Sequence, residues 1–190
     1  MPMLRIESKV DHATLKKPLP FKAFTAGDIH RVEFPTGMSL YKVTDADAVE
    51  TSGGVRSGGS GFATPWWFSY DEMTGQDPAL GVVRLKGIAE VVARSRATKS
   101  DLKAFLRARG AVCLDWNVMT HLLIVRLRRP AVGLVGGCSG QPLYDDVTKA
   151  AKDGYAVEDV ENVRFIGGEQ QLYLPRLLPS SLGVVAFGPV

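Results

Sequence analysis

Gly167-Gly168-Glu169-Gln170-Gln171-Leu172-Tyr173-Leu174-Pro175 is the stretch on which the reading of this chain turns. It reads as a short strand with three adjacent polar side chains where a buried strand carries apolar ones. Alternation puts Glu169, Gln171 and Tyr173 on one face and Gln170, Leu172 and Leu174 on the other. A carboxylate and an amide then leave a rigid element in the same direction. Such a pair suits gripping sugar hydroxyls or stabilising a developing positive charge. The exposed face of an edge strand gives the same pattern.

Other strands surround it in the sequence. Ser39-Leu40-Tyr41-Lys42-Val43-Thr44 has strand composition, and His121 to Leu127 is an apolar run closed by Arg128-Arg129-Pro130. Val132 to Val135, Ala111 to Trp116 and Ser181 to Phe187 are further candidates. Phe62 to Tyr70 carries five aromatics, and alternation sends Trp66 and Trp67 to opposite sides. One indole suits a core; the other calls for a ligand, a partner or another layer. Lys99 to Arg109 reads as a helix, with Ser100 as N-cap, Leu102, Phe105 and Leu106 on one face, and Gly110 as its stop. Tyr144 to Asp153 reads as a second helix. Residues 71–80 suggest a loop or short helix, and 81–93 fit strand or helix equally. Several strands with few helices imply an α+β fold, in which small mixed or antiparallel sheets form a split β core with two or three short helices. Residues 1–20 read as a polar N-terminal arm, and 21–190 as a single α+β domain.

Hydrophobic residues make up 45% of the 190 and charged ones 23%, enough for one cored domain and too apolar for a disordered chain. The net charge of +3 falls short of a dedicated nucleic-acid binder. Arg84, Lys86, Arg94, Arg96, Lys99, Lys103, Arg107 and Arg109 nevertheless gather mid-chain, as a solvated helix face or a phosphate-binding patch. Cys113 and Cys138 lack paired-ligand spacing and His12, His30 and His121 are dispersed, so no metal is expected. No signal peptide or membrane span is recognisable, which suggests a cytoplasmic protein or one delivered into a target cell. The glycines at 133, 136, 137 and 140 open no convincing helix, which argues against a dinucleotide fingerprint. Thr51 to Gly61 is rich in glycine and serine and reads as a mobile loop.

The order of the pieces is informative: a first strand with Leu40-Tyr41-Lys42, an aromatic region with Thr64, Trp66, Trp67, Ser69 and Tyr70, the apolar strand, then Glu169-Gln170-Gln171. Over roughly residues 38–180 this order resembles the ADP-ribosyltransferase superfamily, especially its divergent bacterial toxin-like members. The resemblance implies NAD as substrate, with no metal. It implies Glu169 and Gln171 as catalytic residues, and Tyr41, Lys42, Thr64, Trp66, Trp67, Ser69 and Gln170 as NAD-binding residues. Two departures stand out. Lys42 occupies the place where that family carries an arginine, and Glu169-x-Gln171 inverts the usual Gln-x-Glu. Cleaving nicotinamide from NAD passes through an oxocarbenium-like ribose, which a carboxylate near the 2′-hydroxyl offsets. The acceptor would be a protein, a nucleic acid, a small molecule or water, and an inhibitor or delivery partner is conceivable. Two other readings compete. One is a non-catalytic assembly module that uses its aromatic surface. The other is a nucleic-acid binder that combines the basic helix with Trp66, Trp67 and Tyr70 as stacking platforms.

Overall fold

Residues 3–15, 23–114 and 116–190 are described in a computed structural model. Its strands are β1 (Arg5–Val10), β2 (Ile29–Phe34), β3 (Ser39–Thr44), β4 (Trp66–Ser69), β5 (Met73–Asp77), β6 (Gly81–Leu85), β7 (His121–Leu127), β8 (Ala131–Gly137), β9 (Gln141–Pro142), β10 (Arg164–Phe165), β11 (Gln170–Tyr173) and β12 (Leu182–Pro189). The helices are α1 (Ile88–Ala97), α2 (Leu102–Arg109), α3 (Val147–Lys152) and α4 (Val157–Asn162). Eight strands form one sheet in the order β1-β2-β8-β11-β4-β3-β7-β12, and each pairing is antiparallel. The fold is α+β.

Alternation along these strands produces two apolar layers. Leu40, Trp67, Leu123, Val125, Leu127, Val135, Leu172 and Leu174 point to one side, where they meet Ile6 of β1 and Leu182 of β12 in a single cluster. β1 and β12 are opposite edges of the sheet, so the sheet must curl for them to share a core. The hairpin β5–β6 adds Val83 and Leu85 to the same cluster. Tyr41, Val43 and Phe68 point the other way, and α1 and α2 cover them with Val91, Phe105 and Leu106. Trp67 is fully buried, and removing that side chain from water contributes on the order of 5 kcal/mol.

Helix α2 starts one residue later than its sequence suggests. Asp101, not Ser100, is the N-cap, and its carboxylate accepts from Ala104 N at 2.6 Å. Gly110 ends the helix, with its N–H donating to Leu106 O at 2.7 Å. A Cβ there would stand 2.8 Å from Phe68 Cζ, so glycine lets the helix end lie directly on the sheet.

Several local readings need revision. Residues 5–10, assigned to the arm, form edge strand β1, while residues 16–22 of the arm and its margin lie outside the described residues. Met73–Asp77 is a strand rather than a loop or helix. The ambiguous 81–93 holds both: β6, then Gly87 as N-cap, then α1. Ala111 to Trp116, read as a strand, is a turn-rich segment about the undescribed residue 115. Ala111 and Met119 adopt left-handed backbone near its two ends, with φ of 51° and 58°, so an extended path there is ruled out.

Candidate functional site

β3, β4 and β11 lie side by side, and this brings the chosen stretches together although they are far apart in sequence. The register pairs Tyr173 with Trp66 and Leu172 with Trp67. Trp66, Phe68, Gln171 and Tyr173 therefore share a face, and Trp67 takes the opposite one. Trp66 is half-buried between Phe24, edge-on at 5.9 Å, and Tyr173, tilted at 4.5 Å.

A cavity of about 380 Å³ opens on this face, within the size range of small-molecule sites. Lys42, Val43 and Thr44 of β3, Thr64, Trp66 and Phe68 at β4, and Gln171 of β11 line its sheet side. Gly110 to Val112, Trp116 and Asn117 form a second wall, and Ser139, Gln141 and Asp145 a third. One guanidinium shapes the second wall. Arg107 donates to the carbonyls of Val112 and Cys113, both at 3.2 Å, and of Asn117 at 2.7 Å. Asp45 accepts from Val118 N at 2.8 Å and Met119 N at 3.3 Å. Trp116 is thereby held beside the cavity while remaining substantially exposed.

Of the residues singled out from sequence, Lys42, Thr64, Trp66 and Gln171 line the cavity. Lys42 donates to Thr64 Oγ1, and its ammonium lies 4.7 Å from the centre of the Trp67 ring. Burial brings the Lys42 amine down to about 8, although the charge of Asp45 acts in the opposite direction. Cys138 Sγ donates to Gln171 Oε1 at 3.4 Å, which orients the amide. Burial, reinforced by the negative charge of Glu169, pushes the Cys138 thiol above its ordinary range, so it is no nucleophile at neutral pH.

The structure places the others elsewhere. Trp67 lies in the main core, with Nε1 donating to Thr64 O at 2.9 Å. Ser69 is buried and donates to Asp71 O at 2.6 Å. Gln170 faces away and acts as a splint. It donates to Arg84 O at 2.9 Å and accepts from Lys86 N at 3.0 Å, fixing the approach to α1. Tyr41 stacks on Phe68 at 5.5 Å beneath the helices. Its hydroxyl is buried without a hydrogen-bond partner among the described residues. Burial first, then the charge of Glu169, pushes its pKa above the ordinary phenol range.

Glu169 points to the same face as Gln171 but does not line the cavity. It is 1% exposed and bound at both oxygens. Arg94 Nη1 of α1 stands 2.7 Å from Oε2, and Lys86 Nζ 3.5 Å from Oε1. Gln170 N donates to Oε1 at 3.2 Å. Both cations remain about one-third exposed, so they stand between the carboxylate and water. Much of the mid-chain positive charge is used internally: Arg94 and Lys86 on Glu169, Arg84 on Glu72 and Glu90, and Arg107 on the loop carbonyls.

Sequence reading overlooked Phe68, Trp116, Asn117, Ser139, Gln141 and Asp145. Trp116 gave one usable signal, a large aromatic between polar neighbours near a chain reversal. The glycine-rich loop 51–61, with Arg56 paired to Asp47, does not line the cavity. Among the described residues no group of His, Cys, Asp and Glu could hold a metal ion, and no helix is long and apolar enough to cross a membrane. No family model, curated protein or solved structure matches the chain.

Proposed function

We propose that this cavity binds the nicotinamide riboside half of NAD, and that the protein cleaves the nicotinamide–ribose bond, passing ADP-ribose to an acceptor or to water. The observation that carries this reading is the convergence of three separated stretches. Lys42, Trp66 and Gln171, from three adjacent strands, border one cavity of suitable size. Trp66 offers a face for the nicotinamide ring. Lys42 offers a cation for the pyrophosphate, as a point charge rather than a fork. Gln171 orients the attacking group.

Glu169 supplies the carboxylate for the ribose 2′-hydroxyl. It lies two residues from Gln171 on the same face, roughly 7 Å along the strand. To reach a ribose it must first be released from Arg94 and Lys86. That requirement favours a second reading, a cavity that binds its ligand without turning it over.

Nicotinamide release and NAD binding by calorimetry, measured on wild type, Glu169→Gln and Gln171→Ala, decide between them. Release by wild type that falls at least 100-fold in Glu169→Gln, with the fold intact by circular dichroism, supports cleavage. Binding without release leaves the binding module. The absence of both binding and release removes NAD from consideration.

A further inference from the structure

We infer that Lys42 is a nucleophilic amine, and that the cavity accepts aromatic aldehydes there, capturing them as imines. This assignment does not depend on NAD.

Three observations on geometry support it. First, no carboxylate lies within 4.0 Å of Lys42 Nζ among the described residues, whereas Lys9 and Lys86 each have one. Asp45, just past β3, is the acid whose charge acts on it, and that carboxylate is engaged by two loop N–H groups. Second, the partner of Nζ is a hydroxyl, Thr64 Oγ1, and the indole of Trp67 lies beneath. Third, Lys42 and its partner Thr64 lie past the last β3–β4 pair, Tyr41–Phe68, and both border the cavity, whose other sides include Trp66, Phe68 and Trp116, surfaces suited to an aromatic ring.

Desolvation disfavours the charged amine and thus enlarges the reactive neutral fraction. With the amine brought to about 8, roughly half is neutral at pH 8. For an ordinary lysine under the same conditions the fraction is on the order of a hundred times smaller. In the reaction the neutral Nζ adds to the carbonyl carbon and forms a carbinolamine. The carbonyl oxygen then leaves as water, carrying both amine protons, and a C=N bond remains. Thr64 stands where its hydroxyl relays a proton to the departing oxygen.

The test is to treat the native protein with benzaldehyde and cyanoborohydride at pH 8 and map benzylated lysines by mass spectrometry. Lys42 should be labelled at least tenfold faster than the typical rate of the other nine of the ten lysines. Thr64→Val should slow that labelling several-fold, and Lys42→Arg should remove it while leaving the other sites unchanged. Labelling spread over the surface lysines, with Lys42 at or below their rate, overturns the assignment. So does preferential Lys42 labelling that survives in urea, because it would owe nothing to the cavity. The same experiment in excess NAD separates the two proposals. Protection of Lys42 places both ligands in one cavity. Unprotected, fast labelling upholds the amine and counts against the nucleotide.

Discussion

Glu169 surrenders its hydration on folding and regains it from two cations that do not fully surrender theirs. The asymmetry has a measurable consequence. Arg94→Met leaves a buried carboxylate short of its nearest partner, which should cost on the order of 3 kcal/mol in urea unfolding. Glu169→Gln removes the charge and leaves Arg94 and Lys86 free to turn to water, so it should cost less than half as much. The reverse ranking would mean that Glu169 is already hydrated. Lys42 makes the second residue-scale prediction. Its amine titrates near 8 when folded and near 10.5 when free, so the folded state holds fewer protons between those values. Stability therefore rises as pH climbs from about 8 towards 10.5, and the full cost of charging the buried amine applies below 8. Lys42→Met should lack this rise. Chemical denaturation of both proteins at pH 7, 8, 9 and 10 isolates the contribution, because the other titrating groups are common to both.

The cavity's second wall depends on a helix it does not belong to. Arg107 of α2 satisfies three loop carbonyls with one guanidinium, and loss of those bonds leaves buried acceptors unpaired. Arg107→Met should cost about 2 kcal/mol and release Trp116, seen as lower fluorescence anisotropy in a variant whose other tryptophans are replaced by phenylalanine. Elements whose own side chains specify them were legible in the sequence. Ser39–Thr44 and His121–Leu127 match their strands end to end, and Phe105 and Leu106 gave away α2. Met73–Asp77 was not legible, because its sequence is polar and contains Gly75. That glycine sits where a Cβ would come 2.8 Å from Leu4, so the strand is fixed by its pairing with β6 and its close approach to the chain beside β1 rather than by its own pattern. The site divided similarly. Alternation separated Trp66 from Trp67 and put Glu169 with Gln171. The pairing of Glu169 with Arg94 joins positions 75 apart, and no local rule announces it. Trp116 and Gln141 joined the cavity only when a loop and the short strand β9 came together beside the sheet.

Across the whole molecule, one apolar cluster links both edges of the sheet, from Ile6 of β1 to Leu182 of β12, with Trp67 within it. A core shared in this way leaves no half able to keep its interior after the other opens. Urea unfolding should therefore show one transition, with the same midpoint by far-ultraviolet circular dichroism and by fluorescence of Trp67 in a Trp66→Phe, Trp116→Phe background. A separate early loss of either signal would divide the protein into independent units.

β11 is set between β8 and β4 but follows both in the chain. A ribosome making this protein delivers β1, β2 and β8 of one side and β3, β4 and β7 of the other before the piece that joins them, and only the edge strand β12 comes later. Until that piece emerges, β4 and β8 each present an unsatisfied ladder, and the nascent polypeptide has no pocket to fill. Whatever chemistry the finished protein performs is thus withheld from the half-made one by the order of its own translation.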